Sequence, residues 1–216
     1  MIVHSFETLK IYRLPDGPLQ TNAYWIDTGS VSCLVDPILD PKRQPLGSSK
    51  LSLIVATHGH YDHISRADDW RALYPVKLAI HSAERDALTD ASVNLSNFVG
   101  DPVEQYPADL DLHDNQKVAL DNQVTLEVVH TPGHTAGGVC FIVRYQNKPQ
   151  ALITGDTLFA GSVGRVDLPG GDAPTLMRSL QKLVKLGDVI GDETIVLPGH
   201  GPATTLKAEK QSNPYL

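Results

Sequence analysis

The sequence predicts a single α/β domain in which two packed β-sheets carry helices on their outer faces. Short segments rich in β-branched and aromatic residues, separated by turn residues, recur along the chain and are typical of strands. Stretches of helical period interrupt them, and no repeat, low-complexity linker or block of like charge divides the 216 residues. Residues 1–216 are therefore expected to form one domain.

The strand predictions rest on residue type and on the turns between the strands. Asp16-Gly17 and residues 28–30 supply turns in the first part of the chain. Residues 51–56 are a continuous apolar run, which predicts a strand buried on both faces. The predicted strands are residues 9–14, 22–27, 31–36, 51–56, 76–80, 124–130, 139–145, 151–154 and 194–197.

Three helices are predicted: residues 83–91, residues 173–186 and a short amphipathic stretch after Thr204. The first has Glu84 in its first turn, where the helix dipole favours an acidic side chain. In the second, Asp172 is the expected N-cap and Pro174 falls in the first turn, while leucines recur on one face. Gly187 is predicted to end this helix.

Composition narrows the classes of function. Hydrophobic residues make up 41% of the chain and charged residues 20%, as in a folded globular protein. Asp and Glu (25) outnumber Lys and Arg (18), and the net charge is −7, so we expect no nucleic-acid partner. The N-terminus has no basic segment followed by an apolar one, so we expect a cytoplasmic protein with no membrane partner. Cys33 and Cys140 lie in apolar runs and are expected to be buried thiols.

A dense group of metal-ligating residue types follows the predicted strand 51–56. The segment reads Thr57-His58-Gly59-His60-Tyr61-Asp62-His63. In an extended segment, side chains two positions apart point to the same side, so His58, His60 and Asp62 can converge. His63 opens a predicted helix and can reach a second point nearby. Imidazole and carboxylate are ligands of zinc, iron and manganese, so these four residues predict a site for two metal ions.

Three further candidate ligands lie just past the ends of predicted strands. His134, Asp156 and His200 each follow a glycine, which lets the backbone turn at once and approach closely. Functional side chains gather at such strand ends on sheet scaffolds. We therefore expect these three residues to belong to the same site as the 58–63 segment.

The order of these seven residues resembles that of the metallo-β-lactamase superfamily of binuclear metal hydrolases. Residues 155–159, 164–172 and 213–215 resemble, more narrowly, the short bacterial glyoxalase II-like proteins, which are hydroxyacylglutathione hydrolase-like thioester hydrolases. The resemblance extends over nearly the whole chain, from Thr21 onward. It implies an αββα four-layer sandwich with the metals at one edge of the two sheets.

The resemblance also implies a role for each residue. One metal would be held by three histidines, the second by an aspartate and two histidines, and a further aspartate would bridge the two ions. These groups are His58, His60 and His134; Asp62, His63 and His200; and Asp156. The implied cofactors are two divalent ions per chain, zinc being expected and iron or manganese being the alternatives. Arg165 matches a cationic substrate-binding position, and its structural alternative is an ion pair with Asp167 or Asp172.

The implied reaction is hydrolysis of a small acyl thioester of the hydroxyacylglutathione type. Two divalent metals that share a water lower its pKa toward about 7 and so supply hydroxide at neutral pH. Asp62 would ligate one metal and orient the hydroxide, which makes it the predicted catalytic residue. A thiol has a pKa of about 8.5, so the leaving group hardly needs a general acid. The chain stops soon after His200, so no separate C-terminal glutathione-binding domain is expected.

Other functions share this scaffold. The alternative is a mononuclear iron persulfide dioxygenase-like oxidoreductase, because such enzymes keep the same motifs with one iron. A zinc β-lactamase is disfavoured, because those enzymes lack the bridging aspartate that Asp156 resembles. A non-catalytic metal-binding module would be expected to have lost a ligand. The histidines interpreted as structural or surface residues are His4, His81, His113 and His130.

Overall fold

The first half of the chain forms a seven-stranded sheet, as seen in a computed structural model that describes residues 1–45 and 47–216. In order across the sheet, the strands are β1 (Ile2–Phe6), β2 (Leu9–Asp16), β3 (Thr21–Asp27), β4 (Val31–Val35), β5 (Lys50–Val55), β6 (Lys77–His81) and β7 (Leu110–Leu112). The pairs from β1 to β4 are antiparallel, and those from β4 to β7 are parallel. Val35 is registered beside Val55, and Val55 beside Ala79, so the segments after β4, β5 and β6 leave one edge of the sheet.

The second half forms a six-stranded sheet and a short hairpin. Its strands are β8 (Lys117–Ala119), β9 (Val124–His130), β10 (Val139–Tyr145), β11 (Lys148–Gly155), β12 (Leu158–Phe159), β13 (Ser162–Val163), β14 (Ile195–Pro198) and β15 (Thr204–Thr205). The sheet has the order β15-β14-β11-β10-β9-β8, and β12 pairs with β13 as the hairpin. β11 and β14 are parallel with Gly155 beside Pro198, so the segments after them also leave one common edge.

Helices connect the strands and cover the sheets. They are α1 (Tyr61–Ile64), α2 (Ala67–Leu73), α3 (Arg85–Thr89), α4 (Ala173–Ile190) and α5 (Leu206–Ser212), with 3-10 turns at Pro41–Arg43, Ser82–Glu84 and Ser96–Val99. The start of α4 is confirmed, because the Asp172 side chain accepts the Thr175 N–H at 2.8 Å. Its predicted end is wrong: α4 continues through Gly187 and ends before Gly191, whose φ is 92°. A Cβ at Gly187 would lie 2.6 Å from a carboxylate oxygen of Asp192, so this glycine serves close packing.

Three apolar clusters separate four layers. Val55 and Phe141 lie in the core between the two sheets. Trp25, on the other face of the first sheet, packs against Trp70 of α2 with ring centroids 5.6 Å apart. Leu180 of α4 belongs to the cluster on the outer face of the second sheet. The predicted αββα four-layer sandwich is therefore confirmed.

The differences from the sequence prediction are local. The unpredicted elements are β1, β7, β8, β12, β13, β15 and α2, whereas the predicted helix at His63 is the single turn α1. Most of these strands are short edge or hairpin segments with too few apolar positions to show a period. The prediction of a strand buried on both faces holds only in part: Leu51, Ile54 and Val55 of β5 are buried, but Ser52 is exposed and Leu53 is half-buried. Cys33 and Cys140 are buried free thiols, as predicted. No helix within the described ranges is long and apolar enough to cross a membrane.

Candidate metal centre

The seven predicted ligand residues meet at one edge of the two sheets. The segment carrying four of them follows β5 of the first sheet. His134, Asp156 and His200 follow β9, β11 and β14 of the second sheet. Because β9, β11 and β14 run in the same direction, their ends bring these side chains to the edge that β5 also reaches.

Their nitrogen and oxygen atoms form three groups, within each of which the atoms lie no more than 4.8 Å apart. The groups are His58, His60 and His134; His58, His63 and Asp156; and Asp62, His63 and His200. The first and third groups coincide with the two ligand sets that the resemblance implies. The second group places Asp156 beside one histidine from each set, which is the position of a shared ligand.

Hydrogen bonds on the outer side of the site fix how the histidine rings face inward. His63 Nδ1 lies 2.8 Å from a carboxylate oxygen of Asp36. His134 Nδ1 lies 2.7 Å from the carbonyl oxygen of Arg165, and His200 Nδ1 is 3.2 Å from a backbone carbonyl. Since these oxygens accept, each Nδ1 donates, and in the neutral ring the Nε2 lone pair points into the site.

The spacing of the inward atoms fits metal ions. His60 Nδ1 is 3.2 Å from His58 Nε2 and 3.0 Å from His134 Nε2. At the second position, Asp62 Oδ2 is 3.5 Å from His63 Nε2 and 3.3 Å from His200 Nε2. Zinc–nitrogen bonds of about 2.0–2.1 Å at tetrahedral angles place neighbouring ligand atoms about 3.3 Å apart. Both groups therefore have the dimensions of a first-row metal site.

Asp156 lies between the two positions. Its Oδ1 is 3.3 Å from His63 Nε2, and its Oδ2 is 3.6 Å from His134 Nε2 and 3.5 Å from His200 Nε2. Within the part of the chain that the structure describes, His63 Nε2 and Asp156 Oδ1 are buried and have no hydrogen-bond partner. A buried polar atom without a partner destabilises the folded state, and a nitrogen lone pair and a carboxylate oxygen can both be satisfied by a cation. The two atoms therefore indicate a cation site.

The electrostatics of the site also favour bound cations. Burial lowers the pKa of His60 to about 3, so this imidazole is neutral and can ligate. Burial would raise the pKa of Asp62, but His63 and a hydrogen bond from His200 hold it at about 2. Burial would lower the pKa of His200, but hydrogen bonds to Asp156 and Asp62 raise it to about 9. Burial would also raise the pKa of Asp156, but the charge of His63 and a hydrogen bond from His200 hold it well below its usual range. The ionised carboxylates of Asp62 and Asp156 thus attract positive charge, which divalent metals supply.

Asp36 is a residue of the site that sequence reasoning missed. Besides His63, its carboxylate accepts the Thr57 N–H at 2.7 Å and the Thr57 hydroxyl at 2.9 Å. The Thr57 hydroxyl oxygen in turn lies 3.1 Å from His58 Nδ1. One buried carboxylate therefore orients a histidine of each ligand set. The only sequence signal is an acidic residue between the apolar end of β4 and Pro37.

Glu84 joins the two segments that carry the first ligand set. Its carboxylate accepts the N–H of Gly59 at 2.9 Å and that of Gly137 at 2.5 Å. Glu84 lies in the first helical turn, as predicted, but its side chain is buried, and burial raises its pKa. A Cβ at Gly59 would clash with Ala87, so the close approach requires glycine there.

Side chains of β3 hold the His200 segment from the opposite sheet. The Tyr24 hydroxyl donates to the Pro198 carbonyl at 2.7 Å, and the Asn22 amide donates to the same oxygen at 2.9 Å. The Thr21 hydroxyl donates to Asp62 Oδ2 at 2.7 Å. The start of β3 therefore fixes both a candidate ligand and the segment that carries His200.

A cavity of about 510 Å³ opens over the ligand groups, and Tyr61 and Arg165 contribute to its lining. The Arg165 guanidinium donates to both carboxylate oxygens of Asp167, each at 2.7 Å. This ion pair is the one expected if Arg165 has a structural role, but Arg165 also lines the cavity. Both side chains are exposed, and an exposed ion pair is weak enough to exchange partners.

The other histidines lie outside the three groups. His81 and His130 stack with ring centroids 4.2 Å apart, and His113 lies 6.5 Å from His81. His4 lies 3.2 Å from the side-chain oxygen of Gln150. Among the described residues, none of these four belongs to a group with metal-site spacing.

Comparisons with known proteins agree with this geometry. Residues 16–202 match the domain family described as "Metallo-beta-lactamase superfamily". The protein named "Hydroxyacylglutathione hydrolase GloC", from Haemophilus influenzae, is 32% identical over 168 residues, which cover 77% of this chain and 76% of that protein.

Two solved structures are similar over nearly their full length. The crystal structure of BLEG-1 B3 metallo-beta-lactamase is 34% identical, with a TM-score of 0.84, and covers 95% of this chain and 99% of that one. The crystal structure of TTHA1623 in a di-iron-bound form is 33% identical, with a TM-score of 0.80, and covers 95% of this chain and 100% of that one.

Proposed function

The chain belongs to the metallo-β-lactamase superfamily, and we propose that residues 1–216 act as one metal-dependent hydrolase domain that cleaves small acyl thioesters. The observation that carries the proposal is the joining of two metal-sized ligand groups by one carboxylate, that of Asp156, whose side chain is only 11% exposed. The relative named as a hydroxyacylglutathione hydrolase supports the thioester, and it suggests glutathione thioesters as the first substrates to test.

The proposed cofactors are two divalent ions per chain. The proposed ligands are His58, His60 and His134 for one ion, Asp62, His63 and His200 for the other, and Asp156 for both. Zinc is the expected metal because neutral imidazole and carboxylate in groups of this spacing suit it. The di-iron form of TTHA1623 supports a two-metal arrangement and keeps iron as an alternative.

When bound, such ions lower the pKa of a water and polarise the carbonyl group of a substrate. The chain's own contribution is to hold and orient. Asp62 Oδ2 is fixed by the Thr21 hydroxyl at 2.7 Å, so the carboxylate is placed to accept a hydrogen bond from the attacking water and to aim the water oxygen.

The bonds and protons of the reaction balance with water alone. The water oxygen bonds to the acyl carbon, the carbon–sulfur bond breaks, and one water proton ends on the thiol while the acid product ionises. A thiolate is a good leaving group because the thiol pKa is about 8.5. No strong general acid is therefore required of the cavity lining.

An assay of the metal-loaded protein tests this proposal. We expect hydrolysis of S-lactoylglutathione or of a simpler thioester, followed by release of free thiol. The same preparation is offered a β-lactam and, with oxygen monitoring, a glutathione persulfide. Cleavage of the β-lactam alone, or oxygen uptake with the persulfide and no thioester cleavage, would contradict the proposed reaction.

Arg165 is proposed to bind an anionic part of the substrate after leaving Asp167. Arg165→Met is expected to lower kcat/KM about tenfold for S-lactoylglutathione and less than about twofold for a neutral thioester, because only the anion loses a charge-assisted hydrogen bond. Steady-state kinetics on both substrates measures the difference. Arg85→Met is the control, since Arg85 is also an exposed, ion-paired arginine but lies outside this cavity. Equal losses on both substrates would leave Arg165 with the structural role only.

A further inference from the structure

The walls of the cavity over the ligand groups are mainly apolar. Apart from the proposed metal ligands, Tyr61 and Arg165 are its polar lining residues, and Arg165 is engaged by Asp167. Its volume of about 510 Å³ is within the usual range for a small-molecule site. A polar group buried against these walls would lose its hydration with few partners to replace it.

One wall of the cavity consists of apolar side chains that are exposed to solvent. Phe98 is 76% exposed and Val99 is 55% exposed, and both lie in the 3-10 turn Ser96–Val99 that lines the cavity. Large apolar side chains clustered at a cavity mouth are typical of binding surfaces.

Hydrogen bonds of Asn94 and Ser96 with the neighbouring backbone fix the turn that carries these two residues. The Asn94 amide donates to the carbonyls of Ala87 at 2.8 Å and Val103 at 2.7 Å. The Ser96 hydroxyl oxygen accepts the Val103 N–H at 2.8 Å. The wall is therefore already in place before a ligand binds, which reduces the entropy lost on binding.

A second apolar wall reaches the proposed metal ligands. Phe159 and Val163, from β12 and β13, line the same cavity. The Phe159 ring lies edge-on to the His200 imidazole, with centroids 6.0 Å apart. The Asn213 side chain donates to the Ser162 carbonyl at 3.1 Å and anchors this hairpin. If the carbonyl group of a substrate lies at the candidate metal ligands, the acyl chain attached to it would therefore contact an apolar surface.

From this arrangement we infer that the cavity binds an apolar acyl chain, so that the substrates are thioesters of alkanoyl groups in preference to hydroxyacyl groups. Phe98 and Val99 are the specificity-determining residues. The inference rests on the proposed thioester hydrolysis and narrows its substrate class. The reaction is the one written above, with water as the only co-reactant.

A series of thioesters that share one neutral thiol tests the inference. With the acetyl, propanoyl, butanoyl and hexanoyl thioesters of N-acetylcysteamine, kcat/KM of the metal-loaded enzyme is expected to rise about threefold for each added methylene, because each methylene is buried against the walls. S-lactoyl N-acetylcysteamine is expected to fall below the propanoyl ester. If kcat/KM did not change with acyl chain length, or if the lactoyl ester were preferred, the inference would be overturned.

A matched pair of double variants assigns the effect to the wall. Phe98→Ser/Val99→Ser is expected to reduce the rise to less than about 1.5-fold per methylene. Val93→Ser/Tyr106→Ser removes two side chains of comparable exposure, 46% and 75%, from outside the cavity lining and should leave the slope unchanged.

The outcomes separate this inference from the proposed function. An unchanged slope in the Phe98→Ser/Val99→Ser variant, or an equal loss of slope in the control, would overturn the assignment to these residues. Failure to hydrolyse any ester with metals bound would overturn the proposed function itself, and the inference with it.

Discussion

Replacing Asp156 with alanine is expected to remove both metal ions and to lower thioester hydrolysis by about 1,000-fold or more. Asp156 is the one predicted ligand whose carboxylate contacts histidines of both sets, at 3.3 to 3.6 Å. Its loss leaves the first position with neutral imidazoles only and removes half of the carboxylate charge that attracts the ions. Elemental analysis after gel filtration and a thioester assay measure the two effects.

The control for this variant is Asp167→Ala, which removes an exposed carboxylate near the cavity that belongs to none of the three ligand groups. It should retain two ions per chain. Circular dichroism and thermal melting establish that each variant is folded. An Asp156→Ala protein that keeps two ions with wild-type affinity would show that Asp156 is not a shared ligand.

Replacing Asp62 with alanine is expected to lower kcat about 10²- to 10⁴-fold when metal is saturating, out of proportion to the metal lost. Asp62 is proposed both to ligate the second ion and to orient the attacking water. Excess metal restores occupancy at the remaining ligands, but it does not restore the carboxylate. Turnover is therefore measured per pair of bound ions across a metal titration.

Thr21→Val provides the matched comparison for Asp62. It removes the hydroxyl that donates to Asp62 Oδ2 at 2.7 Å and leaves every proposed ligand in place. We expect two bound ions and a fall in kcat of about tenfold, which corresponds to the loss of one hydrogen bond to a charged group. An Asp62→Ala variant with both ions and full turnover would contradict a role for Asp62 beyond folding.

The meeting of the ligand residues could be predicted because the pattern itself is local. The two-residue spacing of His58, His60 and Asp62 places side chains on one side of an extended segment, whatever surrounds it. The glycine before each of the other three candidates marks a strand end, and the structure places those ends at one edge. The assignment of each candidate residue to one of two metal ions could not be made from spacing and is implied by the resemblance.

The residues that support the site could not be predicted in the same way. Asp36 and Glu84 act on segments 21 or more residues away in the chain, and Thr21 acts on a residue 41 positions later. Nothing near them in the sequence distinguishes such a carboxylate from a turn or helix-cap residue. The cavity walls are similarly assembled from separate loops, so their apolar character emerges only when the chain is folded.

The end of α4 likewise could not be predicted from local sequence. Gly187 is a usual helix stop by local propensity, yet the helix continues because the glycine lies buried against α5, where a Cβ would meet the Lys210 side chain at 2.7 Å. Tertiary packing therefore outweighs the cost of glycine in a helix, about 1 kcal/mol relative to alanine.

Metal stoichiometry decides whether this fold holds two metal ions through seven side chains. The protein is purified without added metal, stripped with a chelator, and titrated with zinc or ferrous ions while bound metal and protein are both quantified. We expect saturation at two ions per chain, with thioester hydrolysis appearing as the second ion binds. Saturation at one ion per chain, with activity already maximal, would contradict this expectation and favour the mononuclear alternative.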